Sequence, residues 1–379
     1  MVSEAFEQPT YPSPQTPANF PAAQTPLPDA KPDPVVRDPT VLEQILRKKF
    51  KSLTGATGQI VMPCIPEMLE EHIQLALGVL SALGQNLTPE EIQALRQNFA
   101  SKLSAGFQAS PHARLIFKYG PPSPTQGLTS GLQVNATVEI SSLEEKYNGW
   151  VKHRTGPLFG SHADAKLLDV AATLRDPARS PILDVGAGTG RNTFPLARKG
   201  HPVDAVELTP VFAQKMFSEA QTHQLPVRII QGNILNPKLK LTPGSYKLAV
   251  VSEVISHFRD RDSVSKLLTK LSNAVQPGGF LLFNAFLTVE GYHPPEQVRQ
   301  MAEVVWSYLM TRDELAEAMA GLPWEIISDE SVYEYERLHL PPEAWPPTAW
   351  FAGWATGRNI FPFAQTPPVE LRWVLCRRS

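Results

Sequence analysis

The segment Ile182-Leu183-Asp184-Val185-Gly186-Ala187-Gly188-Thr189-Gly190-Arg191-Asn192 constrains this chain more than any other stretch. A short apolar strand carries an acid near its end, turns through three glycines and opens a helix. Glycine permits positive φ and lets backbone approach a ligand with no Cβ in the way. In an open α/β sheet such a turn lies outside the carboxyl end of a strand, where ligands bind near the reversal of strand order. The dinucleotide fingerprint G-x-G-x-x-G is not met, because its sixth position is Arg191. The spacing is G-x-G-x-G preceded by an acid. A pyrophosphate disfavours a carboxylate as close as Asp184, whereas a ligand bearing an ammonium group tolerates it.

The alternation continues on both sides of that turn. Strand-like runs at 182–185, 203–206, 227–231, 248–251 and 280–285 are separated by helical ones, which indicates a parallel sheet with helices on both faces. Thr311-Arg312-Asp313-Glu314 starts a further capped helix. Two late strands, 324–328 and 369–376, complete a doubly wound α/β sheet. Between them lies an insert, 338–368, holding Trp345, Trp350, Trp354, Phe351, Phe361 and Phe363. A connection of that length inside a domain is usually functional or disordered, and its aromatic content argues against disorder.

Ahead of this region the texture differs. Of 37 prolines, about ten precede Thr40. Residues 8–38 lack hydrophobic periodicity, and 1–39 is expected to be a disordered, proline-rich leader. Order begins near Thr40, where Val41, Leu42, Ile45, Leu46 and Phe50 share a helical face. A second helix is expected over 66–83. The third starts at the capping box Thr88-Pro89-Glu90-Glu91, with Ile92, Leu95, Phe99, Leu103 and Phe107 as its buried stripe. Strands at 113–119 and 132–140 make residues 40–140 a small α+β module. Residues 141–154 read as a helix carrying Tyr147 and Trp150, followed by another over 162–174.

The glycine segment resembles motif I of class I S-adenosylmethionine-dependent methyltransferases, and the likeness extends through four further motifs in register. Val203-Asp204-Ala205-Val206-Glu207-Leu208-Thr209-Pro210 places an acid at the end of the second strand, where a carboxylate accepts both ribose hydroxyls. Gln231-Gly232-Asn233-Ile234 resembles the third-strand motif, with Asn233 where the family usually has aspartate. Ser245 to Phe258 resembles the fourth strand and the segment where methyl donor and acceptor meet, and Val275 to Phe283, with Pro277-Gly278-Gly279, the turn entering strand five. The resemblance implies a seven-stranded, Rossmann-like methyltransferase sheet whose last strand is antiparallel, spanning residues 141–379. It implies S-adenosyl-L-methionine as cofactor, held by Asp184, Gly186, Gly188, Gly190, Glu207, Leu208, Asn233, Ile234 and Ser252. Glu253 and His257 are the candidates for proton transfer, and Tyr147, Trp350 and Trp354 for substrate contact, with the insert as a pocket wall or lid. The alternative for its rings is packing onto the N-terminal module.

Several classes are disfavoured. A net charge of −2 gives no polyanion footprint, so nucleic acid is not expected as a partner. No apolar run is long enough for a membrane span. Glu4 and Glu7 do not fit a secretory leader. Cys64 and Cys376 are far apart and read as buried free thiols of a reducing compartment, so a cytoplasmic protein is expected. No Asn/Asp-Pro-Pro-Tyr run follows strand four, and Phe283-Asn284-Ala285-Phe286 lacks the carboxylates of metal-dependent relatives, so no metal is expected. The expected function is methyl transfer to a small molecule. A cofactor- or partner-binding scaffold without turnover, and a protein methyltransferase, stay open, as does a protein partner for the N-terminal module.

Overall fold

The computed structural model describes residues 38–53, 56–121, 132–140 and 158–379. The leader 1–37 and the expected helix 141–154, with Tyr147 and Trp150, lie outside the described residues. Met1–Phe50 and Lys51–Ser379 are separate compact units. The helix Pro39–Leu53 leaves Val41, Leu42, Ile45 and Leu46 exposed. Its Glu43 and Arg47 pair one turn apart at 2.6 Å.

In the second unit, an antiparallel sheet of three strands comes first: β1 (Gly58–Pro63), β2 (Arg114–Gly120) and β3 (Gln133–Glu139). β1 is a strand that the sequence reading passed over. Helices Leu69–Ala82 and Pro89–Ala109 pack on this sheet, burying Ile73, Leu80, Phe99, Leu103, Leu115 and Phe117 in a core of their own. The Thr88 capping box forms as expected, with Thr88 Oγ1 accepting from Glu91 N at 3.2 Å and Glu91 accepting from Thr88 N at 2.8 Å. The module is fastened to the following region by Arg259, which donates to Gln108 O at 3.0 Å and lies over the Phe107 ring. Glu67 N also donates to Gln300 Oε1 at 3.2 Å.

The large sheet contains β4 (Ile182–Val185), β5 (Val203–Glu207), β6 (Val227–Gln231), β7 (Tyr246–Val251), β8 (Val275–Thr288), β9 (Leu309–Met310), β10 (Trp324–Ser331) and β11 (Val369–Arg378). Its order is β10-β11-β8-β7-β4-β5-β6, with the two-residue β9 beside the end of β8. β4 to β8 are parallel, and β11 runs antiparallel between β8 and β10. The doubly wound sheet with an antiparallel last strand is thus present, with β9 as an addition. Strand order reverses at β4, which has β5 on one side and β7 on the other.

Side-chain alternation fixes both faces. Leu183 and Val185 point to a cluster with Val264, Leu267, Leu268 and Leu271 of helix Arg261–Ala274. Ile182 points to the opposite cluster, with Leu167, Val170 and Ala171 of helix Ala165–Ala172. Each of these leucines is fully buried and contributes about 1.5–3 kcal/mol. Cys64 and Cys376 are buried free thiols, and burial raises them to about 11 and about 12. Among the described residues no helix is long and apolar enough to cross a membrane.

The insert is ordered but does not do what its aromatic content suggested. After helix Val332–His339 it holds a short turn of helix at Pro342–Ala344 and another helix at Phe351–Ala355. Phe351 and Trp354 are buried in the cluster that covers one face of the large sheet. The Trp354 ring meets Phe286 of β8 edge-on at 5.1 Å, and its Nε1 donates to Trp306 O at 3.0 Å. The sheet face, rather than a ligand pocket or the N-terminal module, is what these rings cover. Trp350 stands at the rim of that packing, edge-on to Trp354 at 5.4 Å. Trp354→Ala should therefore lower the unfolding free energy by about 3–5 kcal/mol in a denaturant titration. Trp350→Ala, at a more exposed ring, should cost far less; equal costs would mean that the face is not sealed by Trp354.

Candidate functional site

A cavity of about 320 Å³ opens at the strand-order reversal, lined by the segments that follow β4, β5, β6 and β7. The glycine turn forms its floor. At Gly186, φ is +74° and a Cβ would lie 2.3 Å from Val254 Cγ2, so no side chain fits between the two loops. At Gly188, φ is +56° and the nearest neighbour of a Cβ is the Phe159 ring. Gly190 lies beyond this cavity, beneath the Phe194 ring.

The acids are held by local hydrogen bonds. Asp184 is buried and accepts from Thr193 Oγ1 at 2.6 Å. Burial raises its carboxyl to about 6, against the pull of that hydroxyl. Glu207, at the end of β5, accepts from Gly188 N through Oε2 and from Thr209 N through Oε1, both at 2.7 Å. Burial raises it, and those N–H groups oppose the rise. Each carboxylate oxygen keeps a further lone pair for a ligand.

The other residues expected to hold the cofactor, and the two candidates for proton transfer, line the same cavity. Leu208 is half exposed at the rim, and Ile234 is a buried apolar wall. Asn233 Oδ1 accepts from Leu235 N at 2.8 Å, which orients the amide. Ser252 lines the cavity, but its hydroxyl donates to Asp164 Oδ2 at 2.7 Å. Glu253 has φ +58°, and its N–H donates to Asn284 Oδ1 at 2.7 Å. Burial lifts the Glu253 carboxyl to about 6, against the Arg191 guanidinium. His257 ends a short helical turn and meets the Trp306 ring edge-on at 5.1 Å. Burial lowers it to about 4, so the ring is neutral near pH 7. Trp350 and Trp354 do not line this cavity, and Tyr147 lies outside the described residues.

Sequence reasoning missed the group that organises the site. Arg191, noted only for breaking the dinucleotide pattern, is ion-paired with Asp164 and donates to Glu253 Oε1 at 2.9 Å. Asp164 also accepts from Asn192 Nδ2 at 2.8 Å. The available signal was electrostatic: acids at the ends of β4, β5 and β7 need a cation among them. Phe159, Phe212 and Phe258 are further wall residues that were not foreseen.

Residues 182–279 match the family model described as "Methyltransferase domain". The matched segment runs from β4 into β8. Two curated relatives are each 30% identical to part of the chain. The "Uncharacterized protein YnbC" of Escherichia coli (strain K12) matches over 135 residues, 34% of this chain and 22% of its own length. The "rRNA adenine N-6-methyltransferase" of Corynebacterium diphtheriae matches over 95 residues, 25% of this chain and 36% of its own length. The chain thus spans about a fifth and about a third of these relatives. Solved structures that it resembles include geranyl diphosphate C-methyltransferase from Streptomyces coelicolor A3(2), crystallised with Mg2+, geranyl diphosphate and S-adenosyl-L-homocysteine. That likeness has 14% identity and a TM-score of 0.44, over 57% of this chain and 78% of that one. A putative sarcosine dimethylglycine methyltransferase from Galdieria sulphuraria has 16% identity and a TM-score of 0.43, over 57% and 83%.

Two substitutions test this geometry. Arg191→Met leaves Asp164 and Glu253 buried without their cation and should destabilise the fold by about 3–5 kcal/mol. Glu207→Gln sets an NH₂ group against one of two backbone N–H donors, at a cost of about 1–3 kcal/mol. Denaturant unfolding reads both, and wild-type stability in either variant would refute the arrangement.

Proposed function

We propose that this chain is an S-adenosylmethionine-dependent methyltransferase acting on a small molecule. The observation that carries this reading is the charge of the cavity. Asp184, Glu207 and Glu253 line it, and its one guanidinium among the described lining residues, Arg191, is already paired with Asp164 and Glu253. His257 adds no charge near neutrality. Such a surface opposes a dinucleotide pyrophosphate and suits a ligand that carries an ammonium and a sulfonium.

The residues present fit that cofactor. Glu207 has lone pairs left for two ribose hydroxyls, Leu208 and Ile234 offer apolar contact to a base, and Asn233 presents an amide to its polar edge. Asp184 and the Gly186–Gly188 turn are left for the amino-acid end. When bound, S-adenosylmethionine supplies an electrophilic methyl carbon, whose S–CH₃ bond breaks as an acceptor lone pair forms the new bond and a neutral thioether is left. The protein's part is then to orient the reactants and exclude water. Glu253, tied to Arg191, serves position and charge balance better than proton abstraction. His257, neutral and beside the loop after β7, is the residue we assign to accept a hydrogen bond from an acceptor hydroxyl, since burial opposes its holding the proton. A nucleic-acid acceptor, as in the name of the Corynebacterium relative, is opposed by the net charge of −2.

Calorimetry should show binding of S-adenosylmethionine and S-adenosylhomocysteine and none of NAD. Affinity for S-adenosylhomocysteine, which keeps its ammonium, should rise as pH rises through about 6, where Asp184 and Glu253 ionise. It should level off above about 7, and adenosine, lacking the ammonium, should show no such rise. Gly188→Val, which forces a branched residue to φ +56°, should abolish binding. NAD binding with no response to either adenosyl ligand would overturn the proposal.

A further inference from the structure

A second cavity of about 330 Å³ lies where the N-terminal module meets the methyltransferase domain. On one side are the end of helix Pro89–Ala109 and the turn that follows it, with Ala109 and His112. On the other side are Ser256, His257 and Trp306. His257 and Phe258 line this cavity and the first one alike, so the segment after β7 is a shared wall.

Three features define what the second cavity suits. The first is an aromatic corner: the His112 and Trp306 rings lie face against face, their centroids 3.7 Å apart and their planes tilted by 35°. Trp306 holds φ +62°, a left-handed conformation uncommon for a bulky residue and of the kind that collects at ligand sites. The second is Ser256, whose buried Oγ has no hydrogen-bond partner among the described residues. A buried hydroxyl left unpaired is unfavourable, and a ligand hydroxyl would supply the missing bond. The third is the absence of uncommitted charge among the described lining residues. Arg259, their one cation, pairs with Glu303 at 2.7 Å and also donates to Gln108 O. An anionic ligand therefore finds no counter-charge there, while an uncharged one incurs no penalty.

We propose that this cavity is the acceptor pocket, built jointly by the module and the methyltransferase domain. It takes an uncharged, planar aromatic compound bearing a hydroxyl, paired with Ser256 and packed against the Trp306–His112 rings. The acceptor role rests on the methyltransferase reading above. The seat itself rests on the cavity alone. The His257 ring, neutral near pH 7, stands between the two ligands and repels neither.

The probe is 1-naphthol, with 1-methylnaphthalene as the partner that lacks a hydroxyl, each titrated calorimetrically into the full chain without cofactor. The full chain should prefer 1-naphthol by about five- to tenfold, the worth of one hydrogen bond. Ser256→Ala should erase that preference. Ala109→Trp, which fills the cavity from an exposed helix end, should weaken both probes at least tenfold. Both variants should bind S-adenosylhomocysteine as the wild type does, which certifies their fold. The pocket is overturned if the wild type binds neither probe, if the preference survives in Ser256→Ala, or if Ala109→Trp binds both normally. Failure to bind S-adenosylhomocysteine would instead overturn the methyltransferase reading, leaving the naphthol result to judge the cavity by itself.

Discussion

A guanidinium whose side chain is only 9% exposed forfeits most of its hydration, and Arg191 recovers that loss from two carboxylates at once. The pairing does more than neutralise. Asp164 stands just before helix Ala165–Ala172, Arg191 follows the glycine turn after β4, and Glu253 follows β7. Asp164 gathers Asn192 and Ser252 as well, and the Glu253 backbone reaches Asn284 on β8. One buried charge thus joins the carboxyl ends of β4 and β7, and through Glu253 the body of β8 at Asn284, to the helix that precedes them. In a low-dielectric setting such bonds strengthen one another and hold their geometry. The loops that line the first cavity are irregular backbone, and this network is what gives them a defined position.

The scaffold and the walls of the site have different origins. Parallel strands with apolar residues on both faces supply a rigid base, and the order reversal at β4 supplies the crevice. The walls come from connections added around that base: the segment after β7, the left-handed corner at Trp306, and the module attached through Arg259. The insert between β10 and β11 contributes to rigidity, since Phe351 and Trp354 close a face of the sheet that would otherwise be wet. The largest concentration of tryptophan in the chain therefore serves the core, and the second cavity uses the isolated Trp306.

The strand framework was legible because each strand carries its own evidence. β4 and β6 fall at the expected bounds, where an apolar run is limited by turn residues. β8 extends beyond them: Pro277-Gly278-Gly279 reads as a turn, yet pairing of Tyr246 with Val275 carries the strand through it with a register shift. β1 is six residues closed by Gly58 and Pro63, and β9 is two residues, too short for any period to show. Most of the residues expected at the cofactor site line the first cavity, because they are consecutive with strand ends. The Asp164–Arg191–Glu253 network was not, because its members are 27 and 62 residues apart and no local pattern links them. The direction of the aromatic insert was misjudged for the same reason: a sequence shows that rings will be buried, not against what.

Glu253 occupies a backbone conformation that glycine adopts freely and that a side chain enters at a cost of about 1–3 kcal/mol. Judged by backbone preference alone, position 253 is locally frustrated. A procedure that optimised each residue for its own φ and ψ would place glycine there, gain local stability and leave Arg191 with a single partner. The loop after β7 would then be free to sample other shapes, and the wall between the two cavities would lose its register. What looks like an imperfect choice of residue is the means by which a distant ion pair dictates the path of the main chain.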